Sequence, residues 1–225
     1  MNILIPAYKP NTRMIELVET LLKEGYEVTV VDDGSGNEFN EMFSSLDSKV
    51  KVLTHEVNKG KGRAMKTGFA YILENYPDSK GVITVDADGQ HLPEDIKKVK
   101  DKMLEKPGKI IIGSRHFKGE VPLRSRFGNE VTKFVFAVVS GLRLEDTQTG
   151  LRGVPYTLLK EMSSLDGERY EYEMNMLMHI AKKKIPLVEV PIETVYIEDN
   201  ASSHFNTIKD SAKIYKVIFG NAFKR

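Results

Sequence analysis

The sequence predicts an α/β fold: a mostly parallel sheet flanked by helices, in a single domain over residues 1–225. Three observations predict it. Short β-branched runs alternate with amphipathic stretches along the first half of the chain, the rhythm of a βαβ series. Several of these runs are almost continuously apolar, as strands buried on both faces are. A chain of 225 residues, 40% hydrophobic and 29% charged, is long enough for one core and far from the composition of disordered chains.

The elements follow in order. Residues 2–5, 27–31, 50–53, 81–85 and 109–112 read as strands. Between them, residues 12–23, 38–46, 62–74 and 93–104 place apolar side chains at three- and four-residue spacing, and Pro93 suits a first helical turn. After about residue 115 the rhythm breaks, and a polar stretch rich in Arg and Gly leads into an apolar helix pattern at 127–139. Its stripe includes Val131, Phe134, Val135 and Val138. Two further helix patterns and a strand-like run at 187–195 follow. The end of the chain, 206–225, reads as a C-terminal amphipathic helix in which Ile208, Ala212, Tyr215, Ile218 and Phe219 interleave with Lys209, Lys213 and Lys216.

Composition removes several function classes. With 33 basic and 32 acidic residues the net charge is +1, which argues against attachment to nucleic acid. The chain has no cysteine, so disulfides, thiolate nucleophiles and thiolate metal sites are excluded, and any metal is held by oxygen or nitrogen. The first residues lack a basic-then-apolar leader pattern, and no run reaches about 18 apolar residues. The expectation is a cytoplasmic chain without membrane spans.

Chemistry-bearing residues gather where strands end, the edge at which open α/β sheets collect ligands. Asp86 and Asp88 follow the fourth strand. Residues two apart in an extended segment share a side, and Gly89 permits a turn, so one or two oxygens of Asp86 and Asp88 could bind a Mg²⁺ or Mn²⁺ completed by phosphates and water. The plain alternative is a solvated acidic turn. Asp33, behind the second strand, could accept hydrogen bonds from a base or ribose, or simply cap its turn. Pro6, Ala7 and Tyr8 offer a fixed backbone and an aromatic face.

Residues 58–64, with Lys61 among three glycine-flanked basic positions, open a helix whose N–H groups suit an anion, though such loops are often merely solvated. Arg115, Arg124 and Arg126 could fork onto phosphate oxygens or form surface ion pairs. His55, His116 and His179 have no metal-ligand spacing and receive no role. Serine nucleophile elbows and dinucleotide glycine fingerprints are absent.

Taken in order, the segments IPAYKP, VVDDGS, NKGKGRA, VDADGQHLPEDI, GSR, DTQTGLRG and YEYEMNML resemble the family-two inverting glycosyltransferases of GT-A (Rossmann-like) fold. The resemblance is strongest to the dolichyl-phosphate mannose synthase and polyprenyl-phosphate glycosyltransferase branch, and covers about residues 2–205. It implies that Pro6, Ala7, Tyr8 and Asp33 line a nucleoside pocket. It also implies that Asp86, Ala87, Asp88 and Gln90 surround metal and donor diphosphate, and that Arg115 and Arg126 bind phosphate. The chain departs from the pattern in three places. Pro10 stands where an acidic residue is usual, Ser203-His204 replaces a Ser-Lys element near the donor phosphates, and the spanning C-terminal helices of many relatives have no counterpart.

The activity so implied is transfer of a hexose, with inversion, from a GDP- or UDP-linked sugar to a polyprenyl phosphate. Transfer to a saccharide or glycolipid hydroxyl is the alternative, and a non-catalytic nucleotide-sugar-binding subunit is a third reading that requires a broken metal site. An anionic phosphate acceptor needs no base, whereas a hydroxyl does. Asp146, beside the TQTGLRG turn, is the candidate base or acceptor-site carboxylate, with Glu171 and Glu173 as rivals. Peripheral contact with the inner face of a membrane through 127–139 and 206–223, or a membrane partner subunit, completes the expectation.

Overall fold

Strand β1 (Asn2–Ala7) buries Ile3 and Ile5 in one core and Leu4 in another, so the alternation of side chains along one short strand already serves two faces of a sheet. The computed structural model describes residues 1–115, 123–193 and 209–222, with the side chains of residues 123–129, 209, 221 and 222 excepted. The further strands are β2 (Glu27–Asp32), β3 (Lys51–Thr54), β4 (Gly81–Thr84), β5 (Ile110–Arg115), β6 (Arg152–Pro155) and β7 (Leu187–Ile192). They form one sheet in the order β3-β2-β1-β4-β6-β5-β7. Every pairing is parallel except those of β6, which runs antiparallel to both β4 and β5.

Helices cover both faces. On one side α1 (Thr12–Lys23), α2 (Asn40–Ser44) and α4 (Pro93–Glu105) pack Met14, Leu21, Phe43, Ile96 and Val99 onto Ile3, Ile5, Val28 and Ile83. On the other lie α3 (Lys61–Asn75), α5 (Leu123–Ser140), α6 (Tyr156–Ser163), α7 (Glu171–Lys183) and α8 (Lys209–Ala222). These bury Met65, Phe69, Phe136, Leu159, Leu177 and Ile218 against Leu4, Val82 and Ile112. Local signals set the boundaries. The Asn11 side chain accepts from the Arg13 N–H at the start of α1, and Pro93 opens α4.

This is the fold class the sequence predicts, and its strands and helices fall within a few residues of their expected limits. Three differences have physical causes. The helix expected at 38–46 is a 3₁₀ turn, Asn37–Phe39, followed by the five-residue α2. The run expected at 187–195 is strand only to Ile192 among the described residues. Strand β6 was not expected at all, because Arg-Gly-Val-Pro is short, does not alternate and contains both residues that weaken isolated strands. It is a strand because two neighbours pair with it. Its first residue, Arg152, sits opposite Thr84 near the end of β4 and opposite Ile112 in β5. The connection before β6 therefore arrives at the carboxyl edge of the sheet.

Candidate active site

That edge opens into a cleft of about 570 Å³. The ends of β1, β2 and β4 supply Pro6, Ala7 and Tyr8, then Asp33, then Asp86, Ala87 and Asp88. Lys61 reaches in from the first turn of α3, and Tyr170 lies just before α7. A smaller pocket of about 30 Å³ shares Asp86 and Asp88 and adds Gln90, His91, Arg115, Gln148, Gly150 and Glu193. Of the residues predicted from sequence, the structure thus brings Pro6, Ala7, Tyr8, Asp33, Lys61, Asp86, Ala87, Asp88, Gln90 and Arg115 to one connected region.

The acidic pair behind β4 is electrically unbalanced. Lys61 Nζ lies 2.7 Å from Asp86 Oδ1 and 3.0 Å from Glu173 Oε2. His91 Nε2 is 3.5 Å from the other Asp86 oxygen. Burial alone would raise the Asp86 carboxyl, but the Lys61 ammonium and the His91 ring outweigh it and hold the group far below the usual carboxylate range. Lys61 is held as an ammonium by Asp86 and Glu173 against the opposing effect of its own burial. Asp88 goes the other way: burial first, and then the Asp86 charge, push its carboxyl up. The turn that places it is the expected one. Gly89 has φ +74°, and the Gln90 N–H donates to Asp88 Oδ1 at 3.0 Å.

Asp33 is nearly saturated by the protein itself. Its Oδ1 accepts from the Lys59 N–H at 2.9 Å and lies 2.7 Å from His55 Nδ1, while Oδ2 accepts from the Gly60 N–H at 2.7 Å. His55, for which no role was expected, is fixed in turn by Thr67 Oγ1, 3.0 Å from Nε2. The glycine- and lysine-rich loop does bind an anion through its N–H groups, but that anion is the Asp33 carboxylate. The start of α3 is further covered by the segment before α7. The Arg63 N–H donates to the Glu168 carbonyl at 2.9 Å, and the Arg63 guanidinium and Lys66 ammonium pair with the Glu168 carboxylate. Gly60 and Gly62 are glycines because that segment and the first turn of α7 are so close: a Cβ on Gly62 would lie 2.5 Å from Tyr172 Cβ, and one on Gly60 would meet the Glu168 carbonyl oxygen.

Asp146 requires a correction. It was expected to act as a base, yet it is fully buried and its carboxylate is committed. Arg115 donates to it through Nε at 2.5 Å and Nη2 at 3.1 Å, and the Gln148 N–H donates at 2.9 Å. The geometry makes Asp146 a positioning residue that aims Arg115, whose side chain lines the smaller pocket. The same turn supplies Gly150, where any Cβ would fall well inside contact distance of the Asp86 carboxylate. Glu173, a rival base in the sequence reading, instead holds Lys61. Sequence reasoning missed Arg152, a buried guanidinium that donates to the carbonyls of Thr149 at 3.0 Å and Glu173 at 2.9 Å. It ties the turn behind Asp86 to the helix that carries Glu173. Arg124 and Arg126 fall in α5, but their side chains lie outside the described residues, as do His116, Ser203 and His204 in full.

Two carboxylates and an amide are hard oxygen donors of the kind that suits Mg²⁺ or Mn²⁺. Among the described residues no group of three acidic or histidine side chains forms a closed cage. The donor set fits an ion shared with a ligand's phosphate oxygens.

Residues 2–161 match the family model described as glycosyl transferase family 2. Among full-length relatives, the uncharacterized protein MJ1222 of Methanocaldococcus jannaschii is 35% identical over 98% of this chain and 92% of its own. The UDP-N-acetylglucosamine–dolichyl-phosphate N-acetylglucosaminyltransferase of Methanococcus voltae is 31% identical over 96% of this chain and 94% of its own. Among solved structures, glucosyl-3-phosphoglycerate synthase from Mycobacterium tuberculosis, in complex with Mn²⁺, UDP-glucose and phosphoglyceric acid, superposes with a TM-score of 0.69 at 15% identity. That likeness covers 99% of this chain and 79% of the other.

Proposed function

Because this chain belongs to glycosyl transferase family 2, we propose that it transfers a hexose, with inversion, from a GDP- or UDP-linked sugar to a polyprenyl phosphate. The observation that carries this reading over a hydroxyl acceptor is the commitment of Asp146 to Arg115. A polyprenyl phosphate presents an anionic oxygen and needs no base, so the loss of the nominated base leaves its chemistry intact. The named dolichyl-phosphate enzyme among the relatives points the same way.

In the reaction an acceptor phosphate oxygen attacks the anomeric carbon opposite the departing nucleoside diphosphate. The bond from that carbon to the β-phosphate oxygen breaks, and its electron pair stays with the diphosphate. Pro6, Ala7 and Tyr8 line the nucleoside end of this binding, with Asp33 holding the loop beside them. Arg115, held by Asp146, sets a guanidinium where negative charge develops. Asp86, Asp88 and Gln90 would hold Mg²⁺ or Mn²⁺, which when bound neutralises diphosphate charge.

The acceptor's lipid tail requires a membrane surface, and the described residues contain no helix long and apolar enough to cross one. Peripheral contact at the inner face fits instead. Phe134 and Val138 on α5 are 70% and 66% exposed, and Phe219 on α8 is 49% exposed, with Lys213 and Lys216 also at the surface. The test supplies UDP- and GDP-sugars with Mn²⁺ and anionic vesicles containing polyprenyl phosphate. Lipid-linked sugar is the expected product. Transfer to a water-soluble saccharide, with none to the lipid and no co-sedimentation with vesicles at low salt, would overturn the reading.

A further inference from the structure

We propose that Lys61 is an internal counter-cation: its ammonium occupies the charge site of the Asp86–Asp88 pair until a divalent ion arrives with a nucleoside diphosphate, and Glu173 is the berth to which it withdraws. The inference rests on the metal-assisted reading above and concerns how the site is kept before the donor binds.

Four features support it. The ammonium already bridges both positions, 2.7 Å from Asp86 Oδ1 and 3.0 Å from Glu173 Oε2, so the withdrawal is a short movement of a flexible side chain. Glu173 has room to accept it, since its buried Oε1 finds no hydrogen-bond partner among the described residues. Asp86 cannot easily be the group that retreats, because Gly150 closes behind its carboxylate and His91 stands at its second oxygen. Glu173 is itself anchored: Arg152 holds its carbonyl, and Glu168 pins the preceding segment to Arg63 and Lys66.

A cation that must be displaced competes with metal. Metal alone has to move Lys61 without compensation, whereas a diphosphate adds anionic oxygens that hold the ion while the ammonium withdraws to Glu173. Metal and nucleotide therefore bind in a mutually dependent way, and by linkage each strengthens the other equally.

The test measures Mn²⁺ binding to the full chain by calorimetry or by the loss of free-ion paramagnetic signal, with and without UDP and GDP. Lys61→Met, which keeps length and removes charge, is expected to tighten nucleotide-free Mn²⁺ binding about tenfold and to shrink the enhancement by nucleotide. Glu173→Gln removes the second berth, so it should weaken Mn²⁺ binding where Lys61 is present and change nothing in the Lys61→Met background. Should Lys61→Met fail to fold by near-ultraviolet circular dichroism, Lys61→Gln carries the same expectation. If nucleotide strengthens Mn²⁺ binding to the wild type but neither Lys61 variant binds the ion more tightly alone, the counter-cation is overturned while the metal-assisted reading stands. If the wild type binds no Mn²⁺ with or without either nucleotide, both fall.

Discussion

Two pairs of acidic residues follow two apolar strands of the same sheet, and they end in opposite electrostatic states. Behind β2, the Asp33 carboxylate is matched by two backbone N–H groups and the His55 ring, so its charge is consumed inside the protein. Behind β4, Asp86 shares one ammonium with Glu173, while Asp88 is pushed up by burial and by its neighbour. The glycines beside them differ in the same sense. A Cβ on Gly34 would meet the backbone of Val57, whereas one on Gly150 would meet the Asp86 carboxylate. Asp33 is matched by groups that build a loop; Asp86 is matched by side chains that line the cleft. The motif alone does not distinguish them, since each is an apolar strand running into acid and glycine.

The contrast can be broken by substitutions that should separate activity from stability. Asp88→Ala has the largest expected effect, a loss of about 10³-fold in kcat/KM, or about 4 kcal/mol of barrier, with the thermal midpoint held. Near wild-type transfer by this variant would remove the β4 pair from the chemistry. Asp33→Ala should do the reverse, lowering unfolding free energy by about 3 kcal/mol because it leaves buried N–H groups and His55 unpaired. Denaturant titration reads this, and an unchanged midpoint with lost turnover would erase the comparison.

Gly150→Ala sharpens it further. Displacing the Asp86 carboxylate should cost about 10²-fold in turnover while stability falls little, because the group that must move is the end of a side chain. Gly34→Ala is the mirror case and the smallest effect. Its φ of +71° and the Val57 backbone should together cost about 2 kcal/mol of stability, with the activity of the folded fraction retained.

Residues set immediately behind apolar strands were legible because the strand itself aims them at the carboxyl edge; Tyr8, Asp33, Asp86 and Asp88 needed no knowledge of strand order. Gly89 was legible for a related reason, since only a turn there makes the DADGQ spacing useful. Partnerships were not. Whether Asp33 meets a ligand or the loop at residues 58–60 depends on how β2 lies beside α3, and nothing in the local pattern encodes that. The pairing of Asp146 with Arg115 was hidden for a larger reason. It follows from β6 being inserted antiparallel between β4 and β5, which folds the Asp146 turn beneath Arg115. Arg152 carried a faint signal, an arginine in an otherwise apolar four-residue stretch before a helix, but its acceptors are carbonyls that only the fold brings near.

The close seating of Glu168 against Arg63 joins positions 105 residues apart in the chain. Three strands, β4, β5 and β6, lie between them in the chain. On a ribosome, then, the nascent chain can finish the strands that carry Tyr8, Asp33 and Asp86 and still have no closed cleft. A donor nucleotide present during synthesis has little to grip until the chain has passed residue 173. A donor that binds only the completed form would add about 2.7 kcal/mol of stability at a hundred times its dissociation constant.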